Sequence, residues 1–88
     1  MDRYFQENIV KGIANHRRID ILYTLASQPD LSVEEITEVC SAEYKTIAMH
    51  LRRLAQSGLI TKKYFGRRVE HRLTERGTQA LDYLRCLT

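Results

Sequence analysis

Residues 31–73 have the sequence LSVEEITEVCSAEYKTIAMHLRRLAQSGLITKKYFGRRVEHRL, and the spacing of their apolar residues changes once along this segment. Up to about residue 57, apolar residues recur every three or four positions, which is typical of helices. From Leu59 onward β-branched and aromatic residues are frequent, in two runs (59–65 and 69–73) separated by Gly66-Arg67-Arg68. The segment therefore predicts short helices followed directly by a β-hairpin with a basic loop.

Capping signals indicate where two helices of this segment begin and end. Ser32 and Glu35 have the spacing of a capping box, which predicts that a short helix begins at this point. A longer helix is expected over about residues 43–57, because Gly58 is placed as its C-cap. The residues expected to pack inward are Val33, Ile36 and Val39 on the short helix and Tyr44, Ile47, Leu51 and Leu54 on the longer one.

Helices are also expected on both sides of this segment. A first helix precedes Asn15 and loosens near Gly12, and Asn15 is placed as the N-cap of a second helix that ends at Pro29. Thr74 is placed to begin a last helix. Residues 1–88 are therefore expected to form a single mainly α domain with a small β-hairpin (α+β), in the order helix-helix-helix-helix-hairpin-helix. This is the arrangement of a winged helix-turn-helix. The inward residues predicted on these helices are Ile19, Leu22, Tyr23, Leu25 and Ala26 on the second and Ala80, Leu81, Leu84 and Leu87 on the last.

Several short sequence motifs follow one another along the chain in a characteristic order and spacing. They are RRIDIL (17–22), LSVEEI (31–36), YKTIAMHL (44–51), SGLI (57–60), GRRV (66–69) and RLT (72–74), together with Leu54. In this order and at this spacing they resemble the ArsR-like group of winged-helix regulators, from about Asn15 to Leu81. The resemblance implies a winged helix-turn-helix fold, binding to DNA and pairing of two subunits through their terminal helices.

Positive charge is concentrated in the segment that holds the longer helix and the hairpin. Residues 41–73 contain eight Lys or Arg and two Glu, a net charge of +6, whereas the rest of the chain has six basic and nine acidic residues, a net charge of −3. A basic segment in an otherwise acidic chain suggests a surface that faces a polyanion such as DNA.

The fourth helix, about residues 43–57, is the predicted recognition helix. Successive residues of a helix are about 100° apart, so with Ile47 and Leu51 inward the opposite face is free to enter the major groove. On that face Arg52 has the donors to bind guanine O6 and N7, while Ala48 or Met49 can contact a thymine methyl group. The predicted DNA-binding residues of this helix are Lys45, Thr46, Ala48, Met49 and Arg52.

The hairpin is the predicted basic wing, over residues 62–72. Lys62 and Lys63 on its first strand and Arg67 and Arg68 at its tip are expected to contact phosphates of the adjacent groove or backbone. Such contacts position a protein without selecting a sequence. Two alternatives explain the same residues: a charged edge strand that resists aggregation, and a winged-helix protein–protein interaction module that binds an acidic partner instead of DNA.

Metal binding, cofactor binding and catalysis are not expected. The resembled group includes metal sensors with ligands at the start of the third helix or on the last helix, but residues 31–35 contain no cysteine and residues 74–87 contain no histidine. Cys40 and Cys86 lack the spacing of a metal site or of a disulfide framework. His50 is expected to be a hydrogen-bonded structural residue. The chain has no glycine-rich phosphate loop and no nucleophile elbow, so we expect it not to be an enzyme.

The first and last helices offer more apolar surface than a small core needs, and the resemblance implies that they form a homodimer. The predicted interface residues are Tyr4, Phe5, Ile9, Val10, Tyr83, Leu84 and Leu87. A two-fold dimer places two recognition helices about one DNA turn apart.

The chain has no apolar run of roughly 18 residues and no secretory signal at its N-terminus, so we expect a cytoplasmic protein with no membrane contact. The predicted partners are double-stranded DNA and a second copy of the chain. The predicted function is a transcriptional regulator that binds a (pseudo)palindromic promoter site and represses by blocking polymerase.

Overall fold

The computed structural model describes residues 2–87, which contain five helices and one hairpin. The fold class and the order of elements predicted from the sequence are confirmed. The elements are α1 (Arg3–Ile13), α2 (His16–Ser27), α3 (Val33–Cys40), α4 (Tyr44–Gln56), β1 (Ile60–Phe65), β2 (Arg68–Leu73) and α5 (Glu75–Arg85).

Side-chain caps begin four of the helices, three of them at the residues predicted. The Asn15 side chain accepts from the amides of Arg17 and Arg18 at the start of α2. Ser32 and Glu35 form the capping box of α3, with both reciprocal bonds present. Thr74 accepts from the Gly77 amide at the start of α5. Each cap satisfies an amide that has no partner inside its helix, which is why these residue types fix the boundaries. The fourth side-chain cap, at the start of α1, comes from Asp2.

Gly58 ends α4 as predicted. Its φ of +75° lies in the left-handed region, which glycine adopts without steric cost. The amide of Gly58 donates to the Ala55 carbonyl and that of Leu59 to the Leu54 carbonyl, the two bonds of a Schellman motif. This turn directs Leu59 back into the core, where it is fully buried.

The core lies where α2, α4 and the base of the hairpin meet, with α3 and α5 closing it from either side. α2 packs against α3, α4, α5 and β2. The buried apolar residues are Ile21, Leu22, Leu25, Ile36, Ile47, Leu51, Leu54, Leu59, Ile60 and Leu81.

Two inward positions predicted for α2 are wrong. Tyr23 and Ala26 are exposed, and Ile21, which was not predicted, is fully buried. Because α2 has neighbours on several sides, its buried face is centred on Ile21, Leu22 and Leu25.

Three further inward positions are also wrong. Val39 is 48% exposed, because Cys40, one full turn after Ile36, takes the inward place at the end of α3. Tyr44 is 50% exposed at the first residue of α4, and Leu87 is exposed because α5 ends at Arg85.

α1 does not loosen near Gly12 but continues to Ile13. Gly12 is buried against the Ser57 side chain at the end of α4, at a distance that leaves no room for a Cβ atom. The glycine therefore permits a close approach of α1 to α4 instead of ending the helix.

The hairpin has a two-residue turn instead of the predicted three-residue loop. Phe65 pairs with Arg68, so that Gly66, with a φ of +58°, and Arg67 form the turn. On the other edge of the hairpin, His71 pairs with Leu31 in an isolated antiparallel bridge. The wing is thereby joined to the segment that connects α2 and α3. Within residues 2–87 no helix is long and apolar enough to cross a membrane.

Candidate nucleic-acid interface

α4 has one buried face and one solvent face, as the predicted recognition helix requires. Ile47, Leu51 and Leu54 are buried against the core. The predicted DNA-binding residues lie on the other side: Lys45, Met49 and Arg52 are exposed, and Thr46 and Ala48 are partly buried at its margins.

His50 holds α4 in place from its buried side. The side chain is only 4% exposed, and its Nδ1 accepts a hydrogen bond from Arg18 Nε at 3.1 Å. Arg18 also donates to the Lys11 carbonyl at 2.8 Å, so one side chain joins α1, α2 and α4. Burial, and then the positive charge of Arg18, lower the pKa of His50, so the ring is neutral near pH 7. The structural role predicted for His50 is confirmed.

Within the described residues, the wing presents to solvent three cations that have no carboxylate partner. Lys62 and Lys63 are exposed on β1, and Arg67 is exposed in the turn. The Lys63 ammonium lies 5.5 Å from the centroid of the Phe65 ring. Tyr44 of α4 and Arg67 of the wing line the same cleft, which also contains Ser32, Val33, Glu34, Arg68 and Val69. The start of α4 and the tip of the wing are therefore neighbours.

Arg68 has a position and surroundings that the sequence analysis did not predict. It is the first residue of β2 and not part of the loop, because the turn is one residue shorter than expected. Its Nη2 lies 2.7 Å from Glu35 Oε1 and 3.1 Å from the Asp30 carbonyl, and its Nε lies 2.9 Å from Glu70 Oε2. The hydrogen bonds that Arg68 donates to Glu70 and Glu35 raise its pKa above the usual value.

A second arginine of β2 makes a similar attachment. Arg72 binds Asp30 through two parallel bonds, Nε to Oδ1 and Nη2 to Oδ2, both 2.9 Å long. The bond from Arg72 holds the pKa of Asp30 below its ordinary value. We call Asp30, Glu35, Arg68, Glu70 and Arg72 the anchor cluster, because together they attach the wing to the α2–α3 connection and to α3.

The anchor cluster was missed by the sequence analysis, although one of its pairs had a readable signal. Arg68 and Glu70 are two residues apart, and in a strand such residues lie on the same face. The partners Asp30 and Glu35 precede Arg68 by 38 and 33 residues, so only the tertiary structure reveals them.

The residues predicted for a dimer interface lie along α1 and α5, with differing exposure. Tyr4, Val10, Tyr83 and Leu87 are largely exposed, with Tyr4 at 82%. Phe5, Ile9 and Leu84 are partly buried within the chain itself: Ile9 and Leu84 pack on the core, and the Arg76 guanidinium lies 4.4 Å from the centroid of the Phe5 ring. α1 and α5 enclose an apolar groove lined by Ile9, Val10, Ile13, Arg76, Gln79, Ala80 and Tyr83.

The cysteines and histidines are dispersed over residues 2–87, where no three His, Cys, Asp or Glu side chains are grouped as a metal site. Cys40 is partly buried, with its Sγ 3.8 Å from Thr24 Oγ1, and Cys86 is exposed. His71 is buried, and its Nδ1 lies 2.8 Å from the Leu31 carbonyl oxygen.

Known structures show the same arrangement of helices and wing. The homodimeric winged helix-turn-helix DNA-binding domain (residues 1–100) of Mb0332 from Mycobacterium bovis, described as a possible ArsR-family transcriptional regulator, is 26% identical, with a TM-score of 0.86 over 99% of this chain and 85% of that domain. The transcriptional regulator HlyU from Vibrio vulnificus is 29% identical, with a TM-score of 0.77 over 93% of this chain and 85% of that protein.

A third similar structure is that of a longer protein, the transcriptional regulator PcaV from Streptomyces coelicolor in complex with its natural ligand. It is 28% identical, with a TM-score of 0.75, and the match covers 78% of this chain but only 51% of PcaV. No curated protein matches the sequence of the chain significantly.

The sequence model of the arsR family of bacterial regulatory proteins matches residues 15–62, more than half of the chain. The matched residues extend from the N-cap of α2 into β1 of the wing, and therefore include the whole helix-turn-helix. The chain belongs to the arsR family of bacterial regulatory proteins and is a DNA-binding transcriptional regulator with a winged helix-turn-helix fold.

Proposed function

We propose that the chain acts as a homodimer that recognises a specific double-stranded DNA sequence, with α4 in the major groove and the wing on the adjacent groove or backbone. The observation that carries this proposal is a set of exposed cations, Lys45 and Arg52 on the solvent face of α4 and Arg67 in the turn of the wing, which borders the same cleft as the start of α4. Among the described residues, none of the three has a carboxylate partner. Exposed cations without internal partners are available to phosphates and base edges.

Each part of this surface has a distinct role in the proposal. Arg52 binds a guanine through two hydrogen bonds, and Ala48 and Met49 contact thymine methyl groups. Lys45 lies in the groove beside these residues, and Thr46 contacts a phosphate at its edge. On the wing, Lys62, Lys63 and Arg67 contact phosphates. Arg68 is not included among these phosphate contacts, because its Nε and Nη2 donors are bound to Glu70, Glu35 and the Asp30 carbonyl, and the two carboxylates offset its charge.

The apolar groove between α1 and α5 supports the dimer. Val10 and Tyr83 are exposed on opposite sides of this groove, and the similar Mb0332 domain is described as a homodimer. In a two-fold dimer formed there, we expect the two copies of α4 to lie about 34–36 Å apart, which is one turn of DNA. Repression follows when the dimer occupies a promoter and excludes polymerase.

Selection of duplexes from a random pool tests this proposal. We expect enrichment of a two-fold symmetric site whose half-sites have centres about 10 base pairs apart, or a multiple of that spacing. Sedimentation velocity of the same protein at high micromolar concentration should give the mass of a dimer. A monomer at that concentration contradicts the dimer, and a pool without enrichment contradicts sequence-specific recognition.

A further inference from the structure

The anchor cluster joins three separate parts of the chain through adjoining charges. Arg68 and Arg72 project from β2, Glu35 lies in the first turn of α3, and Asp30 lies in the turn between α2 and α3. Arg68 and Arg72 both bind Asp30, one at its carbonyl and the other at its carboxylate. Each arginine is thereby linked to the other through the same turn residue.

One carboxylate oxygen connects the wing to the helix-turn-helix. Glu35 Oε1 accepts from the Ser32 amide at 2.8 Å, as part of the capping box, and from Arg68 Nη2 at 2.7 Å. The capping box, which lies within α3 and its N-cap, fixes the orientation of this carboxylate independently of the wing. The guanidinium of Arg68 then meets an acceptor of defined position, and its planar fork of donors makes the pairing directional.

Acidic residues lie close to the surface that is proposed to bind DNA, where their negative charge opposes binding. Glu34 and Arg68 line the cleft between the wing and the start of α4, and Glu35 binds Arg68 at that place. A carboxylate near a phosphate backbone repels it, so charge alone predicts that removing these acids strengthens binding.

We propose that the anchor cluster sets the angle of the wing relative to α4, and that Arg68 is a positioning residue for DNA binding instead of a phosphate contact. The inference rests on the proposed function, since it concerns how the wing reaches the DNA. The acids of the cluster strengthen binding in spite of their charge, because they hold Lys62, Lys63 and Arg67 where the phosphates lie. Loss of the cluster leaves the hairpin attached through the main-chain bonds of His71 to Asp30 and Leu31, through the buried His71 side chain, and through its base at Ile60 and Leu73. All of these attachments lie away from the tip of the wing.

A charge-matched pair of double variants tests the proposal. Glu35→Gln with Glu70→Gln removes both carboxylates that bind Arg68, and glutamine at position 35 still completes a capping box. Glu34→Gln with Glu38→Gln removes the same charge from α3, at two exposed residues that have no ion pair within the described part of the chain. At a fixed salt concentration we expect the first variant to bind duplex DNA several-fold more weakly than wild type. The control should bind equally well or more tightly.

Arg68→Lys separates positioning from simple charge. A lysine keeps the positive charge that a phosphate contact needs but lacks the fork that binds Glu35, Glu70 and the Asp30 carbonyl at the same time. We expect Arg68→Lys to lose several-fold in affinity, whereas Arg67→Lys, which keeps a charge at the exposed turn, retains most of the affinity.

A measurement without DNA distinguishes a failure of this inference from a failure of the proposed function. In ¹⁵N relaxation of the free protein, we expect the order parameters of the Gly66 and Arg67 amides to fall in Glu35→Gln/Glu70→Gln and to stay at wild-type values in Glu34→Gln/Glu38→Gln. Unchanged order parameters of the wing in Glu35→Gln/Glu70→Gln would overturn the inference. So would an affinity of this variant for DNA that is higher than that of wild type and equal to that of the control. A wild-type protein that binds no DNA overturns the proposed function, while the relaxation data still report on the anchor cluster.

Discussion

Arg52 and Arg68 are both exposed arginines in the basic segment, yet their surroundings differ. Arg52 lies on the solvent face of α4 with no carboxylate partner among residues 2–87, whereas Arg68 binds two carboxylates and a carbonyl. A guanidinium has a fixed number of donors, so those spent inside the protein are not available to DNA. Residue type and exposure do not distinguish these two arginines, but their internal partners do. On that ground we propose that Arg52 contacts DNA and that Arg68 positions the wing.

Replacing Arg52 should weaken binding to the selected DNA site and broaden its sequence preference. We expect Arg52→Ala to cost about 1–3 kcal/mol of binding free energy and to relax selection at one base pair of each half-site, because a bidentate contact to guanine is lost. Fluorescence anisotropy with the selected duplex and its single-base variants measures both effects. Arg3→Ala, which removes the same charge from α1, is the control and should leave the preference unchanged. If Arg52→Ala lowers affinity for every sequence equally, Arg52 contacts phosphate and not a base.

At the scale of single elements, the boundaries were predictable because they depend on local chemistry. Three helix caps accept a hydrogen bond from an amide only two or three residues away: Asn15, Ser32 and Thr74. Gly58 adopts a left-handed backbone conformation that residues with a side chain rarely adopt. Each of these signals involves residues that lie within a stretch of four in the sequence, so it can be recognised without the tertiary structure. The start of α4 had no such signal, since Glu43 precedes it without a side-chain cap hydrogen bond.

Whether a side chain faces the core or the solvent was less predictable, because this depends on which elements pack together. Tyr44 fits the apolar stripe of α4 by its spacing, but it lies at the first residue of the helix and lines the cleft beside the wing. Val39 also fits an inward position by its spacing, but it is exposed, and Cys40 packs against the core instead. Asp30 and Glu35, which bind Arg68 and Arg72, precede these arginines by more than thirty residues, and no periodicity connects such positions.

The junction between the wing and α5 should depend on a single hydroxyl. Thr74 Oγ1 accepts from the Gly77 amide at 3.0 Å and donates to the Gly58 carbonyl at 2.6 Å, so it caps α5 and holds it to the end of α4. We expect Thr74→Ala to lower the free energy of unfolding by about 0.5–2 kcal/mol, the usual range for loss of an N-cap. Thermal unfolding measures this loss, and Thr74→Ser, which keeps the hydroxyl, should stay close to wild type. Equal melting temperatures for Thr74→Ala and wild type would refute this role.

At the scale of the whole molecule, two buried histidines link stability to pH. Burial lowers the pKa of His71 more than its hydrogen bond to the Leu31 carbonyl raises it, and burial together with Arg18 lowers the pKa of His50. In the unfolded chain both rings take up a proton near pH 6.5, whereas the folded protein resists it. The unfolded state thus binds more protons as pH falls, and stability decreases.

We therefore expect the free energy of unfolding to be constant from pH 8 to about 7 and to fall as pH drops below about 6.5. The carboxylates of Asp30 and Glu35, whose pKa values are lowered by their hydrogen bonds, lose their contribution only in more acidic solution, below about pH 4.5. Urea unfolding at pH 7.5 and 5.5 isolates the histidines, and the double variant His50→Gln/His71→Gln should show a smaller difference between the two. Equal stability of the wild type at both pH values would contradict neutral buried rings.

The central claim is that the surface formed by α4 and the wing binds the phosphate backbone of DNA, and its salt dependence tests this most directly. We would measure the affinity of wild type and Arg67→Ala for a random-sequence duplex by fluorescence anisotropy between about 50 and 200 mM salt. The account predicts a log–log slope near −0.9 for each phosphate contact in the wild type, and a slope smaller by about one in Arg67→Ala. Absence of binding at the lowest salt, or an Arg67→Ala slope equal to that of wild type, would contradict it and favour a winged helix that binds another protein.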